Sequence, residues 1–191
     1  MFSVRPQTLM LAGGLAAATL LATSCAAGLG PLTGDGGTGV QCAPSPQGRP
    51  VTQGLYNLDN TGSTPVTVIS VKLPPDAKGL AMTRAVWLVP IVVTHDRGEP
   101  GTLIMGTAVV PWPPKQGRFS FTSGRWPTWR YRKPAIGGTI APHQDLNLVF
   151  GLIRTTAKPG TAAGPVVTYT AGGSVYTLAE NFGQELAANC S

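Results

Sequence analysis

Charge is scarce in this chain, and histidine is scarcer. Of 191 residues, 12% are Asp, Glu, Lys or Arg, and the two histidines are His95 and His143. Eight carboxylates are spread along the chain, none arranged with a nucleophile. There is no Gly-x-Ser-x-Gly elbow, no His-Glu-x-x-His pair and no glycine loop set between a strand and a helix to cradle phosphate. The hydrolase, zinc-protease and nucleotide-binding classes therefore have no signature here, and neither catalysis nor a cofactor is expected. Cysteine is nearly absent too, with three residues and no Cys-x-x-Cys pair, which removes the usual exchange motif. No apolar run is long enough for an ordinary spanning helix, since the longest, from Leu9 to Ala22, falls short of the ~20 residues a bilayer needs.

That apolar run begins close behind Arg5 and ends in Ala22, Thr23, Ser24 and Cys25, the layout of a secretory leader. The junction resembles a bacterial lipobox, where a cysteine receives a diacylglyceryl group and the leader before it is removed. The resemblance implies a signal peptide over residues 1–24, lipidation of Cys25 and an address on the outer face of the cell membrane. Ala22 stands where such motifs usually carry Leu, and Ala22 to Ser24 also fits ordinary signal peptidase, so secretion is the alternative.

Cysteine parity bears on that choice. A leftover thiol in an exported protein is reactive. If Cys25 carries lipid, Cys42 and Cys190 remain as one pair across the ends of the folded region. Residues 25–41, rich in glycine, read as a flexible tether. Residues 42–191 have the size of a single domain with one core.

Within that domain the 25 glycines and 18 prolines of the chain punctuate short runs of Val, Ile, Thr and Tyr, the pattern of an all-β fold. Strands are expected over residues 52–59, 65–73, 80–89, 102–110, 125–131, 146–154, 166–171 and 174–180, with 183–189 a last strand or a short helix. A two-residue loop at Gly172 and Gly173 sets a register in which Tyr169 opposes Tyr176, Val167 opposes Leu178 and Thr168 meets Thr177. Val66 and Val68 fall on the opposite parity from Ile69, Val71 and Leu73, which predicts a bulge or two covered faces. These elements predict an antiparallel β-sandwich, immunoglobulin-like in the broad sense. With the leader and the terminal cysteines, the chain resembles envelope lipoproteins of high-GC Gram-positive, actinobacteria-like organisms.

One stretch is chemically distinct. No Asp or Glu occurs from Pro100 to Gln144, yet Lys115, Arg118, Arg125, Arg130, Arg132 and Lys133 lie there among Trp112, Trp126, Trp129 and Tyr131. Read as a strand, 126–133 mixes rings and cations on both faces. Three uses compete: packing of tryptophans under arginines, a face for anionic envelope polymers, and a docking edge for an envelope protein. Arg118, Arg125, Trp126, Trp129, Arg130 and Arg132 are the candidate binding residues, and nucleic acid is not expected at this address. A metal-carrying alternative rests on His95, Met105, His143 and Met82. His95 and Met105 resemble the opening pair of periplasmic copper carriers, while Asp145 follows His143 where that family has a second methionine. A third alternative is a structural accessory subunit of a membrane complex.

Overall fold

The computed structural model describes residues 30–34, 37–91, 93–94, 102–103, 112–114 and 127–190. In chain order the strands are β1 (Leu32–Thr33), β2 (Gly39–Pro44), β3 (Pro50–Asn60), β4 (Val66–Lys72), β5 (Leu80–Pro90), β6 (Val93–Thr94) and β7 (Thr102–Leu103). A 3-10 turn, Pro127–Tyr131, precedes β8 (Lys133–Pro134), β9 (Thr139–Ile140), β10 (Asp145–Arg154), β11 (Gly160–Ala162), β12 (Val166–Ala171), β13 (Ser174–Ala179) and β14 (Phe182–Ala187). No helix among these residues is long and apolar enough to cross a membrane.

The strands form an all-β, mostly antiparallel sandwich. One layer is the sheet β1-β3-β10-β5-β8, and facing it are β13-β12-β4-β9 and β11-β14-β2. β10 is the central strand because it can bury both sides. Leu146, Leu148, Phe150 and Leu152 point into the main core, whereas Asn147, Val149 and Gly151 on the other parity are buried as well. Across the core they meet Val66, Val68, Val167, Tyr169 and Leu186, and each such side chain contributes about 1.5–3 kcal/mol by leaving water. Tyr56 stacks on Phe150 at 5.7 Å.

Local pattern and fold agree at the hairpin. Ala171 faces Ser174, Thr168 faces Thr177, Tyr169 faces Tyr176 and Val167 faces Leu178, with Gly172 and Gly173 at φ of +55° and +82° as a type I′ turn requires. The parity conflict in β4 resolves as a bulge. Thr168 pairs with Ser70 and Tyr169 with Val68, so Ile69 has no partner and is turned out to solvent. The turn after β3 is organised by buried Asn60, whose amide donates to the carbonyls of Thr64, Ile140 and Ala141 while its oxygen accepts from Gly62 N–H.

The amino-terminal boundary differs from the expected tether over 25–41. Leu32 and Thr33 pair with Asn60 and Asp59, and β2 runs parallel to β14, Gln41 beside Gln184. Gly30 sits so close to the Tyr169 hydroxyl and the Tyr176 ring that a Cβ would collide with both. Glycine here allows close packing, and the partners lie too far along the chain for local pattern to reveal them. Cys42 and Cys190 form a disulfide that ties β2 to the end of β14. The segment after Gly183 is a strand, and the expected strand over 102–110 is described for β7 alone.

Candidate functional site

A second, smaller apolar cluster lies on the outer face of the five-stranded sheet. Val89 of β5 and Val149 of β10 form its floor, and Trp129, Trp87 and Trp112 build on them. The expected strand over 125–131 is corrected here: the described part, Pro127–Tyr131, is a 3-10 turn. Pro127 suits the first position of a helical turn, where its missing N–H costs nothing. Arg132 N–H closes the turn on the Trp129 carbonyl at 3.2 Å. In this turn Trp129 points inward, while Arg130 and Tyr131 point to solvent.

Trp129 is the hub. It is 3% exposed and makes T-shaped contacts with Trp87 and Trp112, each at 6.3 Å between centroids, with planes at 74° and 72°. Such T-shaped contacts set a ring's positive edge against another's negative face. Trp112 can approach β10 closely because residue 151 is glycine, since a Cβ there would come within 2.7 Å of the indole. The guanidinium of Arg132 covers the cluster, 4.7 Å from the Trp129 ring and 5.1 Å from Trp87, and its Nη1 donates to the Trp129 carbonyl at 3.1 Å.

Of the binding residues expected from sequence, Trp129 and Arg132 therefore serve packing. Trp129 offers no ring face to a ligand, and Arg132 is spent on two indoles. Arg130 is exposed, its guanidinium 4.5 Å above the ring of Tyr131, and Tyr131 is itself 58% exposed. Lys133 follows, its Nζ donating to the Thr139 carbonyl, and exposed Ile136 lies in the next turn. Arg118, Arg125 and Trp126 lie outside the described residues. Tyr131 and Ile136 were absent from the expected set, although an exposed Tyr beside Arg130 follows once the segment is read with three residues per turn.

The metal alternative fares differently. His143 is in a left-handed turn, φ +56°, with its N–H bonded to the Asn60 carbonyl, just ahead of Asp145 at the start of β10. Met82 pairs with Leu152 near the other end of that strand. At ~3.4 Å per residue the two lie roughly 30 Å apart and cannot share an ion. His95 and Met105 lie outside the described residues, among which no three His, Cys, Asp or Glu side chains come together.

No family model matches the chain, and no curated protein matches it. Among solved structures it is similar to the ASH/PapD-like domain of human CEP192 (PapD-like domain 7), with 12% identity, a TM-score of 0.37, and 84% of this chain and 87% of that chain covered.

Proposed function

We propose that this chain is a lipid-anchored, extracytoplasmic β-sandwich that binds a phosphate-bearing envelope polymer through the basic surface around Arg130, without catalysis. One observation carries the reading: Arg130 and Tyr131 stand exposed and stacked on a turn whose own Trp129 is locked into the sheet. A guanidinium held on a ring has already lost part of its rotamer freedom, so less is lost on binding phosphate. Tyr131 adds an apolar platform for a sugar. The segment that carries the turn holds no acid of its own, since no carboxylate occurs in the sequence between Pro100 and Gln144.

Anchoring at Cys25 would hold the domain close to the bilayer. From Cys25 to Gly30, which packs on the sandwich, the backbone reaches at most about 18 Å, so the basic turn would meet wall material near the membrane. Two acyl chains on one glyceride anchor stably.

Retention on protease-treated cell envelope tests the reading. Arg130→Glu with Tyr131→Ala should weaken retention on the order of tenfold, the loss of a charge-assisted contact, and raised salt should mimic it. Unchanged retention refutes the site. Retention that disappears when the envelope is stripped of protein points instead to a protein partner, the accessory-subunit alternative. Mass spectrometry of the mature terminus from its native host checks the anchor, and an unmodified Cys25 refutes it.

A further inference from the structure

The sheet edges are unequal. β1 and β8 border the five-stranded sheet with two residues each, and β8 consists of Lys133 and Pro134. β9 has two residues and β11 three, while β2 ends at Pro44 and carries the disulfide at Cys42. Short length, lysine, proline and covalent closure all blunt an edge against pairing. β13 has none of them. It runs six residues, Ser174–Ala179, without charge, proline or bulge, and among the described residues no strand lies on its outer side.

We infer that β13 pairs antiparallel with β13 of a second copy, about a two-fold axis through Thr177. The register follows from the hairpin. In a two-residue type I′ loop the closing pair, Ala171 and Ser174, exchanges both backbone hydrogen bonds, and bonding then alternates. Tyr176 and Leu178 thus spend their backbone groups on β12, and Val175, Thr177 and Ala179 direct theirs outward. Placing Thr177 opposite Thr177 of the second copy sets Val175 against Ala179 and satisfies all of these groups in both chains.

Two features favour a second copy as the occupant. On the outer face Ser70, Thr168 and Thr177 already form a row across three strands; the two-fold extends it through Thr177, Thr168 and Ser70 of the second copy, the like-with-like hydroxyl pairing that suits neighbouring strands. The chain also carries a net charge of +6, yet has no charged residue from Pro159 to Ala179. Two equally basic molecules can approach there without setting like charges opposite one another, and the two-fold makes the contact self-closing.

Thr177→Cys in the purified full-length chain tests the register. Opposed residues of such a pair lie about 5.5 Å apart at Cα, within disulfide range, so mild oxidation should give covalent homodimer well above the parent chain. Ser63→Cys, exposed on a loop away from the edge, should not. Thr177→Lys places two ammonium groups across the axis and should weaken dimerisation by about tenfold or more in light scattering, with an unchanged circular dichroism spectrum. Thr177→Cys dimer no more abundant than that of Ser63→Cys, or a parent chain that stays monomeric at all concentrations, overturns the inference.

Discussion

Arg154 is a buried cation that, among the described residues, is held by carbonyls. Its Nε and Nη2 donate to the Ser45 carbonyl and its Nη1 to those of Thr156 and Ala157, tying the chain just after β2 to the end of β10. Only a planar fork can serve three acceptors in those directions. Arg154→Lys should therefore lower stability by about 2 kcal/mol in urea denaturation, and an unchanged midpoint would show that the fork contributes little. Nothing in the sequence around position 154 marks it, because its acceptors include Ser45, more than a hundred residues away. Asn60 differs in having a local signal. It opens a stretch of turn-forming residues, although the reach of its amide to Ile140 and Ala141 appears in the fold alone.

At the scale of elements, the hairpin β12–β13 was legible down to its pairs, since the turn and both strands are contiguous and parity decides the register. The break of parity in β4 was legible for the same reason, and the pairing with β12 decided that it is a bulge at Ile69. The aromatic turn was not. A run of alternating rings and cations fits a strand as well as a 3-10 turn, and what decides is the apolar floor that Val89 and Val149 present from two other strands. Gly151→Ala tests that arrangement. The added methyl would overlap the Trp112 indole and Thr83 Cγ2, so Trp112 should lift from the cluster, shifting tryptophan emission to the red, at a cost of about 1–3 kcal/mol. Emission that stays put would mean the sheet yields instead of the indole.

For the molecule as a whole, the disulfide closes almost the entire folded chain, its cysteines standing 148 positions apart in sequence. The chain-entropy estimate for a loop that long is about 5 kcal/mol. Cys42→Ala with Cys190→Ala should lower the unfolding free energy by several kcal/mol, readable as a fall in the chemical midpoint. A second whole-molecule effect concerns alkali. Burial pushes the Tyr56 phenol well above its ordinary value, opposed by a bond with Gln184, and burial likewise raises Tyr169, opposed by its contact with Leu32 N–H. The folded state then keeps protons that the unfolded chain releases above pH ~10. Stability from these two groups is complete below that pH and is lost as pH rises through the folded values. Tyr56→Phe with Tyr169→Phe should flatten the alkaline decline in stability, and an equally steep decline would place its origin elsewhere.

The sequence by itself determined the all-β class, most strand positions, the hairpin register, the break of parity in β4 and, once Cys25 is set aside, the identity of the paired cysteines. Each depends on neighbours in the chain or on simple parity. Tertiary structure decided that Leu32 and Gly39 begin strands, that β2 lies parallel to β14, that Trp129 faces inward, and that His143 and Met82 end far apart. Those outcomes depend on which distant surface a segment meets, and the short-range alternation of side chains holds no record of it.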